Sequence, residues 1–212
     1  MLERLHFTNR ADWLAARERQ GFGASDGPAI AGCGFITTLE FWKQKTGRTA
    51  ARDLSGVEEV MEGRRMEPFI REFFKGLHPE LTITSQPFDI LFQRERPWLF
   101  CTPDGEIADP EGRQGGLEIK NVTPRKREEW MEWHEQIPQK YYIQVLHQFL
   151  ATGWEYIWFV PALHGMDGSV TVKQYEFLRG DVIADMEYYL GMAELFRDYV
   201  ERGIMPPSSI SL

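Results

Sequence analysis

The stretch TPDGEIADPEGRQGGLEIK, Thr102 to Lys120, decides how the rest of the chain is read. Gly105–Ala108 and Gly116–Val122 have the composition of short strands. Between them lies Asp109-Pro110-Glu111-Gly112, and before them Pro103-Asp104-Gly105, both turn sequences. Two strands joined in this way predict a hairpin. Alternation along the second strand puts Glu118 and Lys120 on one face and turns Ile119 toward the core. The hairpin brings Asp104, at the entry to the first strand, beside Glu118, 14 positions away.

Two neighbouring carboxylates repel each other. A hard divalent cation resolves the repulsion, and Mg²⁺ takes one or two carboxylates together with waters and phosphate oxygens. Lys120, beside such an ion, is suited to hold or help deprotonate an attacking water and to offset negative charge. The alternative is plain: Glu-x-Lys is also a common cross-strand ion pair on a solvent face, and Pro-Asp-Gly a common turn.

Outward from this hairpin, further strands are predicted at Leu81–Thr84, Phe88–Phe92 and Trp98–Thr102, then at Glu155–Ala162 and Ser169–Phe177. Helices are predicted from Asn9 or Thr8 to Arg19, over Thr38–Lys45, and over Glu58–Lys75 with a kink or restart at Pro68. Pro124–Trp133, Pro138–Thr152 and residues 181–202 are also helical in pattern, the last with a stripe of Val182, Met186, Tyr189, Ala193, Phe196 and Val200. This order predicts an α/β or α+β fold, a sheet with flanking helices.

The chain has 212 residues, a length that favours one domain over 1–212. Its net charge of −8 argues against a passive coat for nucleic acid, although residues 1–52 carry +3 and residues 176–202 carry −4. Two cysteines, Cys33 and Cys101, make neither a disulfide framework nor a zinc site. The start of the chain is charged from Glu3 onward and has no apolar core of a signal peptide, and the longest apolar run, Tyr156 to Leu163, is too short for a membrane span. No membrane contact and a reducing cytoplasm are expected.

Three other places bear on function. Arg19 and Ser25 flank the turn Gly21-Phe22-Gly23-Ala24; a guanidinium, a hydroxyl and bare N–H groups before a helix suit a phosphate, or else form an ordinary capped turn. Glu67 lies on the long helix, as a site acid or as a solvated charge. Gln144 and Gln148 lie one turn apart on an aromatic-rich helix, where an inward amide needs partners.

Taken in order, five segments resemble the phage lambda exonuclease family, the YqaJ-type viral recombinase nucleases of the PD-(D/E)xK superfamily. They are Arg19 with Gly23-Ala24-Ser25-Asp26, Gly63…Glu67-Pro68…Arg71-Glu72-Phe73-Phe74, Thr102-Pro103-Asp104-Gly105, Leu117-Glu118-Ile119-Lys120, and Ile137-Pro138…Tyr141-Tyr142-Ile143-Gln144-Val145…Gln148. The resemblance implies a restriction-endonuclease-like mixed central sheet with flanking helices. It implies that Asp104, Glu118 and the Ile119 carbonyl ligate Mg²⁺, in one or two ions that Mn²⁺ can replace. Lys120 then acts on the water nucleophile, Glu67 assists ligation, and Gln144 supports the site. Arg19, Ser25 and Thr102 hold the 5′-phosphate of a DNA end, and Val60 or Met61 stands where a strand-splitting wedge belongs. A ring-shaped homotrimer, a single-strand annealing protein as partner, and phage or prophage origin in a bacterial cytoplasm are implied in the same way. The activity expected is Mg²⁺-dependent 5′→3′ resection of linear duplex DNA to 3′-tailed single strand. The alternatives are a structure- or sequence-specific endonuclease on the same fold, a DNA-end binding module with a dead site and, far behind, a glycosidase carboxylate pair.

Overall fold

A computed structural model describes residues 1–51 and 53–207. The chain opens with strand β1 (Leu2–His6) and helix α1 (Arg10–Gln20). The Asn9 side chain caps α1 by accepting from the Asp12 N–H at 3.0 Å. At Gly21 the backbone turns with φ +137°, and a Cβ there would lie 2.4 Å from the Trp98 carbonyl oxygen, so only glycine fits. Strand β2 (Phe22–Gly23), a 3₁₀ turn at Ala24–Asp26 and the short helix α2 (Gly27–Ile30) follow. Helix α3 (Thr38–Lys45) begins in a reciprocal Thr37–Glu40 cap.

Helix α4 (Glu58–Leu77) then runs through Pro68 without restarting. The missing Pro68 N–H removes one helical hydrogen bond, and packing of Ile70 and Phe74 against a sheet outweighs it. Burying Phe74 completely contributes on the order of 2 kcal/mol.

The next strands are β3 (Thr82–Thr84), β4 (Asp89–Gln93), β5 (Leu99–Cys101), β6 (Gly105–Ala108) and β7 (Gln114–Val122). Helices α5 (Arg127–Met131) and α6 (Gln139–Thr152) lead to β8 (Tyr156–His164), which lies parallel to β7; a parallel pair needs such a crossover. Strands β9 (Val170–Val172) and β10 (Tyr175–Leu178) come next, and α7 (Ile183–Glu201) closes the described chain after a 3₁₀ turn at Arg179–Val182. Met186, Tyr189, Ala193 and Phe196 of the expected stripe are buried.

The strands form two sheets, in the orders β1-β4-β5-β2 and β10-β8-β7-β6-β3, with β9 also on β8. The larger sheet packs α4 on one face, through Ile83, Ile107, Leu117, Ile119 and Val160. Its other face joins the main core with Phe149 of α6, Phe159 and Phe196. The mixed α/β architecture expected from the element order is the one observed.

One strand stands where no element was expected, and one expectation needs correction. The charged segment Leu2–His6 forms a strand, because it pairs antiparallel with β4 from Leu2↔Gln93 to His6↔Asp89. The single strand expected over Ser169–Phe177 is two. Pro161 of β8 has no N–H for that edge, and its carbonyl accepts from Lys173 N–H at 3.0 Å where β9 gives way to β10. Among the described residues no helix is long and apolar enough to cross a membrane.

Candidate active site

The site forms where β6 stops and β7 continues. Glu155 N–H bonds the Gln114 carbonyl across the β8 edge, so even-numbered residues of β7 address β8, while Gly115, Leu117 and Ile119 address β6. Strand β6 ends with Gly105 opposite Leu117. At Ile119 the ladder therefore has no strand to pair with, and the N–H is taken by Asp104 Oδ2 at 2.7 Å. The N–H and C=O of a strand residue face the same neighbour, so the Ile119 carbonyl faces this open edge too. The turn residue Asp104 and the strand residue Glu118 are joined here, as the hairpin predicts.

Glu118 is almost fully buried. Lys120 Nζ donates to its Oε1, confirming that the two side chains share a face. From α6, Gln144 donates to the same oxygen and Gln148 to Oε2. Their i, i+4 spacing places both amides on one side of the helix. Gln148 was as legible as Gln144, from that spacing alone. Glu67 comes from α4 on the other face of the sheet and pairs with Arg71. Arg71 is a partly buried cation at the site to which sequence reasoning gave no role.

Electrostatics follow from this crowding. Burial, then the charges of Glu118 and Glu67, raise the Asp104 carboxyl well above the usual range, against Lys120 and the Ile119 N–H. Burial likewise raises Glu67, with Arg71 opposing and Glu118 adding to the rise. For Lys120 burial acts downward, but Glu118 and Asp104 outweigh it and the ammonium is held charged. Asp104 and Lys120 keep only a small accessible edge toward solvent.

This donor set fits a hard cation. Every candidate ligand is an oxygen, with no thiolate or imidazole among them. A carboxylate has about four acceptor positions; three are filled on Glu118, and Asp104 Oδ1 has no protein partner among the described residues. Among those residues no three His, Cys, Asp or Glu side chains close around an ion by themselves, so two carboxylates and a carbonyl leave positions for water or substrate oxygens.

The expected phosphate pocket is rearranged. Arg17, not Arg19, donates to Ser25 Oγ, at 3.1 Å. Its guanidinium lies over Trp13 and Phe100, 4.7 and 5.3 Å from the ring centroids. Arg19 is two residues on, about 200° around the helix, and exposed. The inward face Trp13-Ala16-Arg17-Gln20 was available from helical periodicity; the shorter distance to the glycines favoured Arg19. Thr102 is engaged within the protein. Its hydroxyl donates to the Asp89 carbonyl at 2.6 Å and accepts from Trp13 Nε1 at 3.1 Å. A phosphate offers only acceptors, and the one donor of Thr102 is already in use. Val60 and Met61 lie in the first turn of α4, half-buried and exposed respectively, about 10 Å along the axis from Glu67.

Comparison with known proteins gives a consistent picture. An alkaline exonuclease, LHK-Exo, from Laribacter hongkongensis has a similar structure, with a TM-score of 0.64 at 19% identity over 92% of this chain and 94% of that one. Its complex with dAMP gives 0.61 at 18% identity, covering 92% and 97%. At these identities the likeness is one of fold alone. The uncharacterized protein YqaJ of Bacillus subtilis (strain 168) is 28% identical over 201 residues. That match covers 93% of this chain and 59% of the relative, so the chain spans little more than half of that protein's length. The YqaJ-like viral recombinase domain matches residues 12–155, which hold every site residue described above, and the chain belongs to that family.

Proposed function

We propose that this protein is a metal-dependent deoxyribonuclease that degrades linear duplex DNA from its 5′ ends, leaving 3′-tailed single strand for recombination by annealing. The convergence of Asp104, Glu118 and Lys120 at the open edge of β7 carries the reading, because it gathers acidic oxygens and a fixed cation around one accessible point.

In this reading Asp104, Glu118 and the Ile119 carbonyl hold Mg²⁺, in one or two ions, with Mn²⁺ as a substitute. The cation supplies a water of lowered pKa and neutralises the phosphoryl oxygens. Lys120, charged through its acidic neighbours, orients the water by donating a hydrogen bond and offsets charge that grows on the phosphate. Gln144 and Gln148 fix the Glu118 carboxylate so that it does not rotate away. Glu67, paired with Arg71, assists ligation from the other face of the sheet. Arg17 and Ser25 bind the terminal 5′-phosphate, the guanidinium held against the Trp13 and Phe100 rings. Val60 or Met61 parts the end base pairs.

A homotrimeric ring, an annealing protein that takes over the product and action in a bacterial cytoplasm complete the proposal; family membership supports them. The test compares 5′-phosphorylated linear duplex with the same DNA as a closed circle, in Mg²⁺ and in EDTA. Loss of the linear form alone, only in Mg²⁺, with 3′-ended single strand accumulating, is expected. Cutting of the circle makes the protein an endonuclease, and binding without turnover makes it an end-binding module.

A further inference from the structure

Helix α6 carries a third buried polar side chain that the chemistry above does not use. His147 lies one residue before Gln148, about 100° around the helix from it, and has no exposed surface. It points away from Glu118 and toward β2. Its Nε2 lies 3.1 Å from the Phe22 carbonyl oxygen and its Nδ1 2.7 Å from the Tyr189 hydroxyl of α7. A carbonyl only accepts, so Nε2 bears the proton, and Nδ1 accepts from Tyr189. The imidazole is thus a neutral link in a directed chain from Tyr189 through His147 to Phe22.

Phe22 begins the short segment that ends in the phosphate pocket. Three polar groups in and beside it are held by side chains from different elements. Lys45 Nζ donates to the Gly21 carbonyl at 2.7 Å, Asp26 accepts from the Gly23 N–H at 2.9 Å, and Arg17 donates to Ser25. The hydroxyl of Tyr189 reaches His147 because the adjoining residue is Gly27: a Cβ there would lie 2.7 Å from that oxygen. The glycine after Ser25-Asp26 is explained by this chain rather than by its own backbone angle.

We infer that His147 and Tyr189 are positioning residues for the terminal-phosphate pocket. Through His147 the Ser25 turn is tied to α6, the helix that orients Glu118, and through Tyr189 to α7. The inference rests on the reading that Arg17 and Ser25 hold a 5′-phosphate. Neither side chain touches the DNA in it; both act on the Phe22 carbonyl and so on the Ser25 turn three residues later.

The test is equilibrium binding of two short duplexes, one with 5′-phosphate and one with 5′-hydroxyl ends, labelled at the 3′ end and measured by fluorescence anisotropy in Ca²⁺. Wild-type protein is compared with Tyr189→Phe, which keeps the ring and removes one hydroxyl. His147→Gln keeps an amide donor for Phe22, and His147→Leu keeps none. The preference of wild-type protein for the phosphorylated duplex is expected to fall roughly tenfold in Tyr189→Phe, with affinity for the hydroxyl-ended duplex unchanged within twofold. His147→Gln retains more of the preference than His147→Leu. A folded Tyr189→Phe protein with undiminished preference overturns the inference. So does an equal loss on both duplexes, the signature of general destabilisation, and so does a wild-type protein that ignores the phosphate. Absence of Mg²⁺-dependent hydrolysis with the preference intact would sink the nuclease reading and leave this inference standing.

Discussion

Acidification should destabilise this protein through His147, and by a calculable amount. Burial lowers the His147 pKa from its ordinary 6.5 to about 4; the carboxylate of Asp26 and the Phe22 carbonyl act against this, and Arg17 adds to it. The folded state therefore binds fewer protons than the unfolded state between those two values. Stability rises with pH across that window: the contribution is complete above about pH 6.5 and is lost as pH falls toward 4. A difference of about 2.5 pH units corresponds to about 3 kcal/mol, a sizeable part of the 5–15 kcal/mol typical of a folded domain. Other carboxylates also titrate there, so the measurement is a difference. Urea unfolding of wild-type protein and of His147→Gln, both in EDTA, is followed at pH 7, 6, 5 and 4. The advantage of wild-type protein over the variant should shrink by about 3 kcal/mol from pH 7 to pH 4. Parallel losses in the two proteins would refute the claim that a buried neutral imidazole, held by Tyr189 and Phe22, is what acid attacks.

Three further outcomes follow from the same geometry. Arg17→Ala should lower the rate on 5′-phosphorylated ends at least tenfold relative to hydroxyl ends, and Arg19→Ala should leave that ratio within twofold; competition digests with both end types check it. Asp104→Asn should reduce hydrolysis by about a thousandfold or more and yet raise the melting temperature in EDTA by a few degrees. The raised Asp104 carboxyl means that its ionised form opposes folding near neutral pH, and about 1 kcal/mol moves the midpoint by roughly 2–4 °C in a domain of this size. Mg²⁺ at about 100 times its Kd should stabilise wild-type protein by about 2.7 kcal/mol and leave Asp104→Asn unchanged, as thermal unfolding with and without the ion will show.

Local pattern alone determined much of this protein. Turn sequences around Gly105–Ala108 and Gly116–Val122 specified the hairpin, and strict alternation specified that Glu118 and Lys120 share a face while Ile119 is buried; these are properties of neighbours in the chain, set by the geometry of an extended backbone. The helical period of α7 was equally legible, because its buried stripe repeats every three or four residues, whereas α6 is buried on every side from Ile143 to Thr152. Tertiary structure decided the rest. Leu2–His6 became a strand only because β4 offered it an edge, with Arg4 bonded to Asp89 of β4 and to Glu106 of β6. Arg17 rather than Arg19 reached Ser25 because Trp13 and Phe100, 87 positions apart, closed around its guanidinium. Thr102 lost its free hydroxyl to the Asp89 carbonyl, a partner 13 positions away. His147 gained its role from Phe22 and Tyr189, which lie 125 residues before it and 42 after. Each of these depends on which distant groups arrive at one point, and the satisfaction of buried polar atoms by such partners is a property of the packed molecule that no local spacing encodes.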